Sequence, residues 1–179
     1  MNVEDMAVFR CARLLLLLDL IRQDAPEGVD AERLGVYDFL AAHPLLLARE
    51  EDDPDRMALL MAGFDDRALS YASAGQRLVT AQQHLARDLT VLVRSGMVTM
   101  TVGGRIRYRL SDDGRQAAGG LTAAYARSYA TAASIVVRRM KRLSGRRMRE
   151  TLRRCISGTG TAGPDLPDIL PSPDIEGPT

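Results

Sequence analysis

The chain has 179 residues, 46% of them apolar and 26% charged, and a formal net charge of +1. This suffices for one domain with appendages and a core that needs no disulfide staple. Aromatics are only 4%, Trp is absent, and Cys11 and Cys155 fit no metal-ligand spacing. Neither a disulfide framework nor a zinc site is therefore expected. With no secretory leader read at the start, the chemistry favours helix-on-helix packing in a cytoplasmic protein.

Asp5 to Gln23 predicts a first helix, with Met6, Phe9, Leu14, Leu17, Leu18 and Ile21 as its apolar residues. The run Leu14 to Leu18 lies between Arg13 and Asp19 and is too short to span a bilayer. Pro26-Glu-Gly28 predicts a turn. Asp30 is suited to cap a second helix running to about His43, with Val29 and Leu34 as a hydrophobic staple. Pro44 disfavours helical geometry in the residue before it.

The stretch at about 44–74 predicts an irregular insertion. It holds an acidic loop, Glu50 to Pro54, a short helix within Met57 to Phe64, and a further connection at Ala68 to Ala74. Insertions of this length in compact domains tend to be functional segments or mobile flaps.

The spacing of Leu78, Ala81, Leu85, Leu89 and Leu92 predicts a third, long helix over Gly75 to Ser95, ended by Gly96. Met97 to Leu110 predicts two short strands joined at Gly103-Gly104, which supply the positive φ of a tight turn. In the second strand, Arg105, Arg107 and Arg109 alternate with Ile106, Tyr108 and Leu110, giving one basic and one apolar face. Ser111-Asp-Asp-Gly114 predicts the start of a fourth helix reaching Leu143, weakened at Gly119-Gly120. Gly145 separates it from a short amphipathic helix, Arg146 to Cys155. The Gly-, Pro- and acid-rich residues from Ser157 onward predict a disordered tail.

Two helices, a long helix and a two-strand hairpin, in that order, define a mainly α, winged helix-turn-helix pattern. The winged-helix domain is expected at 1–111, a helical extension with a basic arm at 112–156, and the tail at 157–179.

Three sets of residues are candidates for contact. On the wing, Arg105, Arg107 and Arg109 suit phosphate contact, although the outer face of any solvated hairpin must be polar. On the long helix, Gln83, Arg87 and Arg94, with Gln82, have groups that can contact bases, but Asp88 lies among them in sequence and surface Gln is common on helices, which argues mildly against the reading of a base sequence. In the arm, Arg142, Arg146, Arg149 and Arg153 recur at four, three and four residues. Between Val136 and Ile156 there are nine cations and one acid, a surplus of eight, which leaves the rest of the chain near −7. Such a helix suits a nucleic-acid backbone or an acidic partner groove. A membrane surface fits less well, because the apolar edge is short and lacks aromatics. No catalytic constellation stands out. His43 and His84 are the only histidines, and Asp52, Asp53 and Asp55 resemble a solvated acidic loop more than a metal site. No metal and no cofactor are expected.

Several landmarks occur in a recognisable order. They are Leu16-Leu-Leu-Asp19, Tyr37-Asp-Phe-Leu-Ala-Ala-His43, Leu89-x-x-Leu-x-x-x-Gly-Met-Val98, Ile106-Arg-Tyr108 and Ala124-Tyr125. Over roughly residues 12–143 the chain resembles the middle components of ABC-three-component systems, as found in Lamassu-type bacterial anti-phage defence. The resemblance implies a non-catalytic winged-helix adaptor between an SMC/Rad50-like ABC ATPase and an effector protein. Relatives carry a Ser-Leu-His-Pro-like segment and a Gly-Glu pair before the long helix. Here those places hold Ala68-Leu-Ser-Tyr71 and Gly75-Gln76, and the basic arm lies outside the resemblance. Double-stranded DNA is a further candidate partner, and a homodimer stays open. The rival expectation is a stand-alone winged-helix transcription regulator, and a third is a protein–protein scaffold that touches no nucleic acid.

Overall fold

The computed structural model describes residues 6–65 and 74–157. The predicted tail beyond Ser157 and the Ala68–Tyr71 segment lie outside these residues. The described elements are α1 (Ala7–Ile21), α2 (Ala31–Ala42), a 3-10 turn (Pro44–Leu46), α3 (Arg56–Met61), α4 (Ala74–Arg94), β1 (Val98–Gly103), β2 (Arg105–Leu110), α5 (Asp112–Gly119), α6 (Ala124–Met140) and α7 (Gly145–Ser157).

Local chemistry sets several helix boundaries. Asp30 accepts a hydrogen bond from the Arg33 backbone N–H at 2.8 Å and caps α2. Ser111 caps α5 in the same way through the Gly114 N–H, at 3.0 Å. Gly96 ends α4 with φ +76°, the left-handed geometry that glycine takes without penalty.

The core gathers apolar faces from most of these helices. Leu14, Leu17, Leu18 and Ile21 of α1 meet Leu34, Phe39 and Leu40 of α2, Leu89 and Leu92 of α4, and Tyr129, Val136 and Met140 of α6. Ala132 and Ala133 are fully buried on α6, where small side chains let it lie close across its neighbours. One buried polar network ties three helices together. Arg13 of α1 donates to both carboxylate oxygens of Asp38 on α2, at 3.0 and 2.8 Å. Tyr129 of α6 donates to the same carboxylate at 2.8 Å, so the acid is charge-paired and hydrogen-bonded, as burial requires.

The hairpin is antiparallel, with Val98 opposite Leu110, Met100 opposite Tyr108 and Val102 opposite Ile106. Gly104 alone carries positive φ at its tip, at +77°. The hairpin also has a one-residue third strand. Val29 donates to the Tyr108 carbonyl at 2.9 Å and accepts from the Tyr108 N–H at 2.8 Å. Gly28 makes this possible. Its φ is +93°, and a Cβ there would lie 2.7 Å from the Tyr108 carbonyl oxygen.

Two features differ from the sequence expectation. The predicted fourth helix is two helices, because α5 ends at Gly119 and α6 starts at Ala124. The C-terminal basic arm is also folded onto the body. Met148, Leu152 and Cys155 of α7 are buried in the common core, at roughly 1.5–3 kcal/mol for each fully buried large apolar side chain.

Candidate nucleic-acid interface

The long helix α4 turns two different faces to its surroundings. Leu89 and Leu92 face the core, while Gln83, Arg87 and Arg94 lie exposed at helical spacing on the opposite side with Gln82. Asp88, the sole acid of α4, does not interrupt this stripe. It is buried at 2% exposure and bound by Arg10 of α1 at 2.6 and 3.1 Å. That pairing holds the Arg10 guanidinium above its ordinary value. The charge that counted against nucleic-acid contact in the sequence is therefore neutralised inside the protein.

Immediately after α4, the wing places Arg105, Arg107 and Arg109 on one face, opposite Gly103, Thr101 and Thr99. All three arginines are exposed. Arg107 is 3.8 Å from Glu27, and Arg109 donates to the Thr99 hydroxyl at 3.2 Å. These contacts steady the side chains but leave most donors of each guanidinium fork turned to solvent. At the foot of the wing a cleft of about 480 Å³ is lined by Arg22, Arg109 and Arg115 together with Tyr108, Leu110 and Asp112, and Arg22 is paired with Asp19 and Arg115 with Asp112. Arg22 and Arg115 escaped sequence reasoning because α1, β2 and α5 meet there only in the fold. The opposite face of the wing is apolar, and towards its tip Met100, Val102 and Ile106 are exposed.

The arm residues are only partly free. Arg149 pairs with Glu32 at 2.8 Å, Lys141 with Asp24 at 3.0 Å, and Arg146 with Glu150 at 3.6 Å. Arg138 and Arg139 bind the predicted acidic loop through Asp55 and Asp53. The bond from Arg139 holds the Asp53 carboxyl below the usual carboxylate value. Burial pushes Asp55 up, but the bonds from Arg138 and Arg139 outweigh it and keep that group low as well. Among the described residues, Arg142, Arg147, Arg153 and Arg154 make no ion pair, and Arg154 donates only to the Thr151 hydroxyl at 3.3 Å. The arm's surplus charge thus collapses to a few exposed guanidinium groups. Arg142, Arg146, Arg149 and Arg153 do not form one uncompensated stripe.

A second cavity, of about 310 Å³, lies between α1, α2 and α4. His43 borders it and is held neutral. Burial, followed by the nearby charges of Arg77 and Arg13, lowers its pKa to about 4. Arg77 contributes a buried Nε with no hydrogen-bond acceptor, a bare donor that costs on the order of 1–3 kcal/mol if left unmatched. Among the described residues, no group of three or more His, Cys, Asp or Glu is placed to hold a metal ion. No described helix is long and apolar enough to cross a membrane.

The arrangement defines a mainly helical, winged-helix-like protein with a two-stranded antiparallel wing. No family model, curated protein or solved structure matches the chain.

Proposed function

We propose that this chain is a non-catalytic winged-helix subunit that binds duplex DNA, with α4 facing the major groove and the arginine face of the wing on the flanking phosphates. The observation that carries this is the acid-free outward stripe of α4, followed in the chain by Arg105, Arg107 and Arg109 on a single strand face. Guanidinium forks suit phosphate oxygens, and Gln83 and Arg87 have the donor and acceptor groups that read base edges.

The wider role is that of an adaptor in anti-phage or anti-plasmid defence, holding an SMC-type ABC ATPase and an effector protein. The ordered landmarks from Leu16 to Tyr125 support it. So does the exposed apolar face of the wing at Met100, Val102 and Ile106, which lies opposite the arginines and leaves room for a protein partner beside DNA. The alternative, a stand-alone transcription regulator, gains from the same α4 stripe. It requires a homodimer and a strong preference for a palindromic site.

Duplex binding measured over a salt series tests the shared part. The wild type should lose affinity steeply as salt rises. A variant with Arg105, Arg107 and Arg109 all changed to Glu should bind at least tenfold more weakly. Its slope should be shallower by about 0.9 for each phosphate no longer neutralised. Unchanged affinity and slope would remove the wing from the interface. Co-purification with a coiled-coil ABC ATPase encoded alongside tests the adaptor role, whereas a large specificity ratio at physiological salt would favour the regulator.

A further inference from the structure

The two outer edges of the wing differ in chemistry. The β2 edge carries Arg105, Arg107 and Arg109 and is covered at Tyr108 by Val29. The β1 edge, Val98-Thr-Met-Thr-Val-Gly103, holds no charge and no proline. Its register against β2 runs unbroken from Val98–Leu110 to Gly103–Arg105, so no bulge turns it aside. Charge, proline and bulges are the usual devices that keep an open edge from pairing, and β1 lacks all of them.

The backbone of β1 also has a definite direction. Tyr108 spends both its N–H and its C=O on Val29, and the Ser111 N–H donates to the Met97 carbonyl at 3.0 Å. Hydrogen-bonded and non-hydrogen-bonded pairs alternate along an antiparallel ladder. Thr99 and Thr101 therefore bond across to Arg109 and Arg107, while the N–H and C=O groups of Met100 and Val102 point out from the open edge. Among the described residues, no backbone group outside the hairpin bonds to them. The side chains of the same two residues are 47% and 77% exposed. One short stretch thus offers free donors, free acceptors and apolar side chains together.

A second copy of β1 fits this edge. Laid antiparallel about a two-fold axis at Thr101, it sets Met100 beside Val102 of the other copy, and Val102 beside its Met100. The outward N–H and C=O groups then satisfy one another, as an isologous contact requires, and the apolar side chains pack across the ladder. Uncharged strands meet at the centre. The two β2 strands with their arginines stay three strand spacings apart, roughly 14 Å, beyond the Debye length of about 8 Å at physiological salt. The chain's own C-terminal residues suit the edge poorly, since Pro164, Pro167, Pro171 and Pro173 lack the N–H that a pairing strand needs.

We propose that β1 is a self-association edge, at which two copies of the chain join their wings into one continuous antiparallel sheet. Arg105, Arg107 and Arg109 of both copies then share one face, and Met100, Val102 and Ile106 of both share the other. The contact is small, so the dimer is weak and forms at high protein concentration. It needs no DNA.

Disulfide trapping without DNA tests the register. Thr101 faces its own copy in a non-hydrogen-bonded pair, with Cα atoms about 4.5 Å apart, within disulfide reach. Gly103 lies on the same exposed side of the strand, but its two copies are offset by roughly 13 Å along the ladder. Thr101→Cys should cross-link at least tenfold faster than Gly103→Cys, with the wild type, which carries Cys11 and Cys155, as the baseline. Adding Val102→Lys should slow the Thr101→Cys reaction at least tenfold, because a lysine blocks the edge. Amide exchange of the wild type gives a second reading. Protection at Met100 and Val102 should rise between micromolar and millimolar protein, while Thr99 and Thr101, already bonded to β2, change little. Equal cross-linking rates for the two cysteine variants overturn the inference. So does fast exchange at Met100 and Val102 at millimolar concentration, which leaves the edge to a strand of another protein. Protection that does not depend on concentration also overturns it, because the covering strand then belongs to the same chain. Failure of the DNA reading alters none of these outcomes.

Discussion

Asp88 of α4 and Arg10 of α1 form a two-point ion pair, at 2.6 and 3.1 Å, with the carboxylate side chain 3% exposed and the guanidinium 12%. The pair fixes how α4 rotates about its own axis, because turning Gln83 and Arg87 inward would drag the carboxylate out. Arg10→Met should therefore cost about 3–5 kcal/mol, since it leaves a buried acid uncompensated. Arg10→Met combined with Asp88→Leu should recover most of that loss. Urea denaturation of the single and double variants checks both, and equal losses would mean that the pair does not act as a unit.

Gln83, Arg87 and Arg94 should separate from the wing arginines by the kind of binding they support. Alanine at Gln83 and Arg87 should erode discrimination between duplex sequences, at about 1–3 kcal/mol for each base-edge pairing removed. Glutamate on the wing should weaken all duplexes alike. Competition between one preferred duplex and random duplex resolves the two patterns. Thermal stability should hardly change, since exposed substitutions stay within about 0.5 kcal/mol.

His43 should make stability depend on pH. Its folded pKa is lowered to about 4 from an ordinary 6.5, so the unfolded chain takes up the proton first as pH falls. The stability is fully present above pH 6.5 and is lost progressively as pH falls towards 4. At about 1.4 kcal/mol per unit, the loss is on the order of 3 kcal/mol. His43→Gln should flatten this part of the profile. A denaturation midpoint series between pH 7 and pH 4 reads it, and identical slopes for the two proteins would exclude His43 as the cause.

Gly114 sits where a Cβ would fall 2.0 Å from the Met97 carbonyl oxygen and 3.0 Å from Leu110 Cδ2. Gly114→Ala must push α5 off the foot of the wing, at about 1–3 kcal/mol or more. A lowered melting temperature, with reduced amide protection at Met97 and Ser111, is the expected result. The Ser111 N–H donates to that same Met97 carbonyl at 3.0 Å.

How much of this was legible in the sequence followed the range of each interaction. Asp30, Ser111 and Gly96 act on residues a few positions away, and their roles could be read in place. The alternation of Arg105 to Leu110 likewise settled the two faces of the wing. What escaped was long-range pairing. Arg139 lies 86 residues from Asp53 in sequence, so neither the arm nor the acidic loop showed that each would cover the other. Asp88 was misplaced for a related reason. A carboxylate on a helix is ordinarily solvated, and only Arg10, 78 residues away, makes its burial tolerable. Val29 read as the staple before α2, and nothing local marked its pairing with Tyr108. Arg77 had no local signal at all, because its neighbours come from three separate helices.

A helix-turn-helix ordinarily aims its second helix with a turn of three or four residues. Here residues 43–73 lie between α2 and α4, and the part containing Asp53 and Asp55 is fastened to α6. The described part of that connection is itself held by side chains, with Leu45, Ala48 and Leu59 buried against Ala132 and Ile135 of α6, and α4 is oriented by contacts such as the Arg10–Asp88 pair. The bearing of α4 is therefore a property of side chains that can be changed one at a time. Substitutions in α1, well away from any groove, could re-aim the exposed stripe across a duplex while every residue on that stripe stays the same.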